Sequence, residues 1–186
     1  MEALPSCCPP SLFLQSLARF LVPFIIQWVD NVSGAEELIS FNTPVGRLLL
    51  SIRQDVITKA DWVQEHGEEP SCDHQIKRYL AQYWTNPDIA IPVSLLRQGS
   101  AYRHTVWNAL CQIPVGETVS YSVLAQKITS AARAVGNACR DNPYPLFIPC
   151  HRVVSASGIG GYCGQTEGYF MQVKHQLLAF EAAFKK

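Results

Sequence analysis

The sequence predicts an α/β protein in two parts: a small β-rich α/β unit, then a mostly helical unit built on a helix-turn-helix. Three observations carry this. Residues 38–52 read as two β-rich runs around an Asn42-Thr43-Pro44-Val45-Gly46 turn, the pattern of a hairpin. Residues 101–140 hold three successive segments of helical character, the third made almost entirely of small side chains. The composition is globular, 48% apolar and 16% charged, and 186 residues suffice for one ordinary domain or two small ones.

In chain order, residues 1–10 carry Pro5, Pro9 and Pro10 and read as an irregular tail. Residues 11–29 are the most apolar stretch, but Arg19 and Pro23 interrupt it, and its unbroken runs are too short to span a bilayer. The first charge is Glu2, so the basic start of a signal peptide is missing. A helix or strand packed on the first unit is expected there, with no membrane role. The hairpin follows, then a strand at 56–63 and an acidic loop at Glu65–Pro70. Asp73–Trp84 reads as a helix with Ile76, Tyr79, Leu80 and Tyr83 on one face, ended by Asn86-Pro87. Ile89–Val93 is short and extended. These features divide the chain into an N-terminal extension, 1–36, of unassigned role, an α/β unit, 37–93, a linker, 94–101, and a helical unit, 102–186.

In the helical unit, Ala101–Gln112 is expected to bury Tyr102, Val106, Ala109 and Leu110. Ser120–Lys127 opens with Ser120 or Ser122 as its N-cap. Ser130–Arg140 completes a helix-turn-helix bearing Arg133 and Arg140. Its small residues permit close approach, either of another helix or of a nucleic-acid groove. Pro143, Pro145 and Pro149 then form a stiff extended run delivering Cys150. Val153–Gly164 is a glycine-rich loop, and Val173–Phe184 is a final amphipathic helix carrying Glu181.

The chemistry concentrates at Ile148-Pro149-Cys150-His151-Arg152-Val153-Val154. A free thiol has a pKa of about 8.5 and attacks only as thiolate. The adjacent imidazole and guanidinium are expected to favour the anion, which makes Cys150 a candidate nucleophile. A packed structural thiol fits the local sequence equally well. The seven cysteines show no CxxC pair, which points to reduced thiols rather than a disulfide framework. Cys139, Cys150, His151 and Cys163 match no common zinc spacing, so no metal is expected. Net charge is zero, but residues 1–100 hold seven basic and eleven acidic residues while 101–186 hold eight and four. The second half is the one suited to face a polyanion.

Several segments together resemble the O6-alkylguanine-DNA alkyltransferases. They are Ile113-Pro114-Val115-Gly116-Glu117-Thr118-Val119-Ser120-Tyr121, Arg133-Ala134-Val135-Gly136, Asn142-Pro143, the Pro-Cys-His-Arg run, Gly160-Gly161-Tyr162 and Leu177-Leu178-Ala179-Phe180-Glu181. The likeness covers residues 102–181 well and 38–100 loosely. It implies an RNase H-like first unit and a winged-helix-like second one. It also implies direct-reversal repair: one alkyl group passes from O6-alkylguanine, and by the same chemistry O4-alkylthymine, to Cys150. The thioether cannot be hydrolysed back, so each molecule acts once.

Carried over residue by residue, His151 is the general base acting through a water, with Glu181 its orienter. Asn142 completes the hydrogen-bonded chain, and Tyr121 is the proton donor to the departing base. Arg133 would replace the flipped-out base, with Ala132, Gly136, Arg140 and Tyr121 on the DNA-facing surface. Val153, Ile159, Tyr162 and Cys163 would form the base pocket, the carbonyls of Cys150 and Val153 reading the exocyclic amine. The resemblance implies no cofactor, double-stranded DNA carrying O6-alkylguanine as partner, a monomer, and a cytoplasmic location, nuclear in a eukaryote.

The chain departs from familiar members in three places. Cys163 stands where serine or Arg-Trp often follows the tyrosine, the Cys150–Glu181 spacing is a few residues longer around Gln165–Met171, and the turn between Lys127 and Ala131 is shorter. A lesion sensor that flips the base without repairing it is the alternative on the same scaffold. Cys150 argues for transfer. An unrelated thiol hydrolase would leave the DNA motif unexplained.

Overall fold

The computed structural model describes residues 22–64 and 74–184. The expected tail at 1–10, the first part of the apolar stretch and the acidic loop at 65–70 lie outside the described residues. The first unit is a five-stranded sheet of β1 (Phe24–Val29), β2 (Glu37–Thr43), β3 (Gly46–Arg53), β4 (Val56–Val63) and β5 (Ile91–Leu96), ordered β1-β5-β4-β3-β2. β2, β3 and β4 form an antiparallel meander, while β5 runs parallel to both β4 and β1. A parallel return needs a crossover, and α1 (Gln75–Thr85) supplies it. It buries Ile76, Leu80 and Tyr83, as its stripe predicts, with Tyr79 only partly covered.

The hairpin turn is held by its own side chain: the Thr43 hydroxyl donates to the Gly46 carbonyl at 2.6 Å and accepts from the Val45 amide at 3.2 Å. Along β3, Leu48, Leu50 and Ile52 point into the core and alternate with partly exposed neighbours, the period of a half-buried strand. Full burial of each such side chain contributes about 1.5–3 kcal/mol.

Two boundaries differ from the sequence reading. Phe24–Val29 falls inside the expected extension 1–36, yet it is an integral edge strand paired along its length with β5. Phe24 is buried, its ring 5.1 Å from Tyr83 and 5.0 Å from Phe147. The apolar run covers what would otherwise be the open edge of β5. The expected linker 94–101 is also shorter, because Ser94–Leu96 complete β5 and Ala101 begins the next helix.

The second part contains α2 (Ala101–Leu110), β6 (Val119–Ser120), α3 (Tyr121–Lys127), α4 (Ala132–Arg140), a single 3-10 turn at Cys150–Arg152, β7 (Val153–Val154) and α5 (Tyr169–Ala182). Helix α2 buries His104, Val106, Trp107 and Leu110, leaving Tyr102 39% exposed. The face is rotated from the expected one because the larger Trp107 goes inward, where its indole N–H donates to the Ala138 carbonyl at 2.9 Å. Of the two cap candidates it is Ser120 that closes α3, accepting from the Val123 amide at 3.2 Å. Helix α4 starts two residues later than expected, and α5 starts earlier, at Tyr169. One hydrophobic cluster runs from Leu48 and Leu50 through Trp107 to Leu177. Among the described residues no helix is long and apolar enough to cross a membrane.

Candidate active site

The proline run does not stay extended up to the cysteine. Tyr144, Leu146, Phe147 and Ile148 are all buried, and Cys150 opens the 3-10 turn. That turn sends neighbouring side chains to different places. Cys150 lines a cavity of about 200 Å³ together with Tyr121, Gly136, Arg140, Tyr162 and Cys163. This is below the ~300–1,000 Å³ of drug-sized sites, so the cavity admits only a small group. A cleft of about 240 Å³ lined by Gln27, Asp55, His74 and Ser94 on the sheet contains no cysteine.

Asn142 reaches Cys150 directly. Its amide nitrogen donates to the thiol sulfur at 3.2 Å and to the Ile148 carbonyl at 2.9 Å, and its side-chain oxygen accepts from the Tyr144 amide at 3.0 Å. Its turn-forming and thiol-facing contacts therefore coexist. Behind the thiol, fully buried His151 meets fully buried Glu181, Nε2 to Oε1 at 2.9 Å. The expected amphipathic-helix carboxylate is thus an interior group.

Arg152 is where the structure corrects the sequence reading. Its guanidinium turns away from Cys150 and clamps Glu181, Nη2 to Oε1 at 2.7 Å and Nε to Oε2 at 2.8 Å, while Nη1 donates to the Ile113 carbonyl at 2.6 Å. The Tyr83 hydroxyl adds a fourth donor at 3.0 Å. With so many donors Glu181 is held far below the ordinary carboxylate range, by His151 and Arg152 against the opposing effect of burial. His151 is shifted down, burial outweighing the attraction of Glu181. The ring is therefore neutral, with Nε2–H donated to Glu181. Nδ1 is buried and has no hydrogen-bond partner among the described residues, which leaves it free to accept a proton.

Cys150 is not a preformed thiolate. Burial pushes its pKa up, opposed by the Asn142 hydrogen bond and by the charge of Lys174. Sequence reasoning missed Lys174. It is fully buried and donates to the carbonyls of Val153, Ile159 and Gly161 at 2.7, 2.8 and 2.9 Å. Burial lowers it to about 8, the nearby cysteines pulling the other way. A lysine on the same face as Met171, Leu177 and Glu181 was the signal that could have found it.

The other expected pocket residues divide. Tyr121 is half-buried at the start of α3, brought alongside the cysteine loop by parallel pairing of β6 with β7. Its phenol, pushed up chiefly by burial, donates to the Gly161 carbonyl at 3.4 Å. Tyr162 and Cys163 form the cavity wall. Val153 and Ile159 do not line this cavity and present carbonyls to Lys174 instead; the Cys150 carbonyl accepts from the Val153 amide. Gly161 is required by space, since a Cβ there would sit 2.8 Å from the Gln165 carbonyl oxygen.

The outer face of α4 contrasts with this interior. Ala132, Arg133 and Arg140 are exposed. Gly136 has open space where a side chain would project. Arg140 pairs with Asp141 at 3.2 Å, and Arg103 pairs with the same carboxylate, which they hold below its ordinary pKa. Among the described residues no three His, Cys, Asp or Glu side chains converge as metal ligands.

Residues 101–183 match the model of the 6-O-methylguanine DNA methyltransferase DNA-binding domain. The constitutive methylated-DNA–protein-cysteine methyltransferase of Bacillus subtilis is 36% identical over 138 residues, 66% of this chain and 83% of the relative. That of Mycobacterium leprae is 34% identical over 157 residues, covering 75% and 93%. The O6-methylguanine methyltransferase structure from Mycobacterium tuberculosis superposes with a TM-score of 0.66 at 29% identity, covering 82% of this chain and 96% of that one. A structure of the Mycobacterium tuberculosis protein in complex with DNA gives 0.65 at 33% identity, covering 77% and 91%. On sequence and fold alike, the chain belongs to the methylated-DNA–protein-cysteine methyltransferase family.

Proposed function

We propose that this protein repairs O6-alkylguanine in duplex DNA by moving the alkyl group to Cys150, once per molecule. The observation that carries the reading is the juxtaposition at Cys150. Cys150 lines a cavity of heterocycle size and its sulfur is hydrogen-bonded by Asn142, with neutral His151 paired to ionised Glu181 behind and the exposed α4 face in front.

Stacking shields the alkyl carbon inside a duplex, so the base must be extruded, at a cost of a few kcal/mol. Arg133 is exposed and long enough to fill the vacated space. The substrate then brings the thiol and alkyl carbon together. The S–C bond forms as the C–O6 bond breaks, and the electron pair returns to the purine. Tyr121 gives the purine a proton, the thiol proton passes through a water to Nδ1 of His151, and the proton held there then returns through solvent to the Tyr121 phenolate, leaving both side chains as they began. The net products are S-alkylcysteine and unmodified guanine. Arg152 and Tyr83 hold the Glu181 carboxylate ionised and fixed, which sets the tautomer of His151. The residues divide the labour as an N-terminal α/β unit backing the site and a DNA-facing unit beginning at α2. A monomer suffices for one lesion, and the cytoplasm, or the nucleus of a eukaryote, is where the substrate lies.

Incubation with a duplex carrying O6-methylguanine, followed by intact-protein mass measurement, tests this. One added methyl, absent in Cys150→Ala, is expected. Tight binding without mass gain would identify a lesion sensor and reject transfer.

A further inference from the structure

The wall of the cavity is tied to the N-terminal sheet at both ends of one loop. At its start, the Trp62 indole N–H donates to the Tyr162 hydroxyl at 2.9 Å in a buried contact. At its end, the Tyr169 hydroxyl donates to the Val63 carbonyl at 2.7 Å. Trp62 and Val63 are the last two residues of β4, so one strand end grips both ends of Tyr162–Tyr169. The stretch between contains Cys163, Gly164, Gln165 and Thr166, all on the cavity.

The hairpin turn completes the grip. A Cβ at Gly46, whose φ is +150°, would lie 2.6 Å from the Tyr169 hydroxyl. The absence of a side chain there is what lets the phenol seat against β4. Inside the loop, Tyr162 and Gln165 exchange backbone hydrogen bonds at 2.8 and 2.9 Å. Cys163 and Gly164 both have positive φ, +47° and +79°. The first is an unfavourable conformation for a non-glycine residue, and it persists only where surrounding contacts enforce it.

We infer that the end of β4 is a clamp, with Trp62 and Tyr169 as positioning residues that set the width of the base pocket from the opposite unit. Neither touches the reacting atoms, and both act through the Tyr162–Thr166 wall. The inference rests on the transfer reading for its kinetic consequence, but not for its structural one. Removing one partner of such a contact leaves the other unsatisfied, which shifts an equilibrium constant by about five- to 160-fold for a buried pair.

The test uses full-length Trp62→Phe and Tyr169→Phe, which remove the hydrogen-bonding groups and retain rings. The first readout is amide hydrogen exchange. Faster exchange at Tyr162 and Gln165, with α4 unchanged, is expected in each variant. Uniform acceleration or no change overturns the clamp. This holds even if the wild type fails to transfer, an outcome that would reject the proposed function alone. The second readout is the concentration dependence of the single-turnover reaction with free O6-benzylguanine. Half-saturation is expected to rise about five- to tenfold, with the limiting rate nearly unchanged. A fall in limiting rate alone, or additive losses in a Trp62→Phe/Tyr162→Phe cycle, contradicts a role through Tyr162. Should Trp62→Phe not fold, Tyr169→Phe carries both readouts, its ring being only partly buried.

Discussion

The two sides of Cys150 are built on opposite principles. Behind it, Glu181 is fully buried and takes side-chain donors from His151, Arg152 and Tyr83. In front of it, the α4 face offers exposed Arg133 and an uncovered Gly136. Charge is enclosed and saturated where it must hold one protonation state. It is left in water where it must meet a partner that arrives later. Substitutions behind the thiol should therefore harm folding and chemistry together, whereas substitutions in front should harm recognition alone.

Glu181→Gln tests the first half most severely. It strands Arg152 without its counter-charge, and breaking a buried pair this way costs about 3–5 kcal/mol. We expect a large fall in denaturant midpoint and loss of transfer on every substrate. A variant with normal stability would mean that Arg152 finds another partner and that the interior is less tightly determined than its geometry indicates.

Arg133→Ala probes the other half. We expect transfer from duplex lesions to drop at least tenfold. Reaction with free O6-benzylguanine should be nearly unchanged, and stability should stay within about 0.5 kcal/mol, as for exposed sites generally. Equal losses on both substrates would remove Arg133 as the residue that fills the gap in the duplex.

Protonation offers a subtler distinction. His151 in the folded protein titrates below its ordinary 6.5. Under 6.5 the unfolded chain therefore binds a proton that the folded chain refuses, and stability declines as the pH falls. Glu181 acts in the same direction at lower pH: its contribution is present above its ordinary 4.5 and is lost as the pH falls through its depressed folded value. Unfolding midpoints measured on either side of 6.5 should decrease on the acid side, and the same comparison in His151→Gln should be flatter. The acid limb of the transfer rate should likewise lie below 6.5. A limb above that value would show His151 to be protonated in the resting protein.

The smallest effect is expected at Cys163. Burial pushes its thiol up, as it does that of Cys150, but the Asn142 hydrogen bond that opposes this at Cys150 goes to Cys150 and not to Cys163, so Cys163 stays protonated and is the poorer competitor for the alkyl group. Cys163→Ser should transfer within about twofold of the wild type, because serine keeps the size and shape of the side chain in the cavity wall. Alkyl recovered on Cys163 of the wild type would contradict this.

Local pattern made much of this arrangement legible. The Thr43–Gly46 hairpin, the α1 stripe and the α3–α4 pair follow from periodicity and turn residues. Cys150 and His151 stand side by side in one motif, and Asn142, Glu181 and Arg133 come from the resemblance. What escaped depends on contacts between residues far apart in the chain. Tyr83 and Glu181 are 98 residues apart, Trp62 and Tyr162 are 100 apart, and nothing local marks either pair. Arg152 was visible as a cation but not its direction, because a 3-10 turn rotates successive side chains to different partners. At Phe24–Val29 the sequence left helix and strand open, because an apolar run pairs only with an edge that forms elsewhere, and Pro23 obscured the start of the strand.

The central claim is that Cys150 is consumed. The most direct measurement follows intact mass with time in a large excess of O6-methylguanine duplex and maps the modified residue by peptide digestion. The account predicts a single rise that stops at one methyl per chain, all of it on Cys150, while further lesions remain unrepaired. Continued repair beyond one equivalent, or methyl found on Cys139 or Cys163, would contradict it.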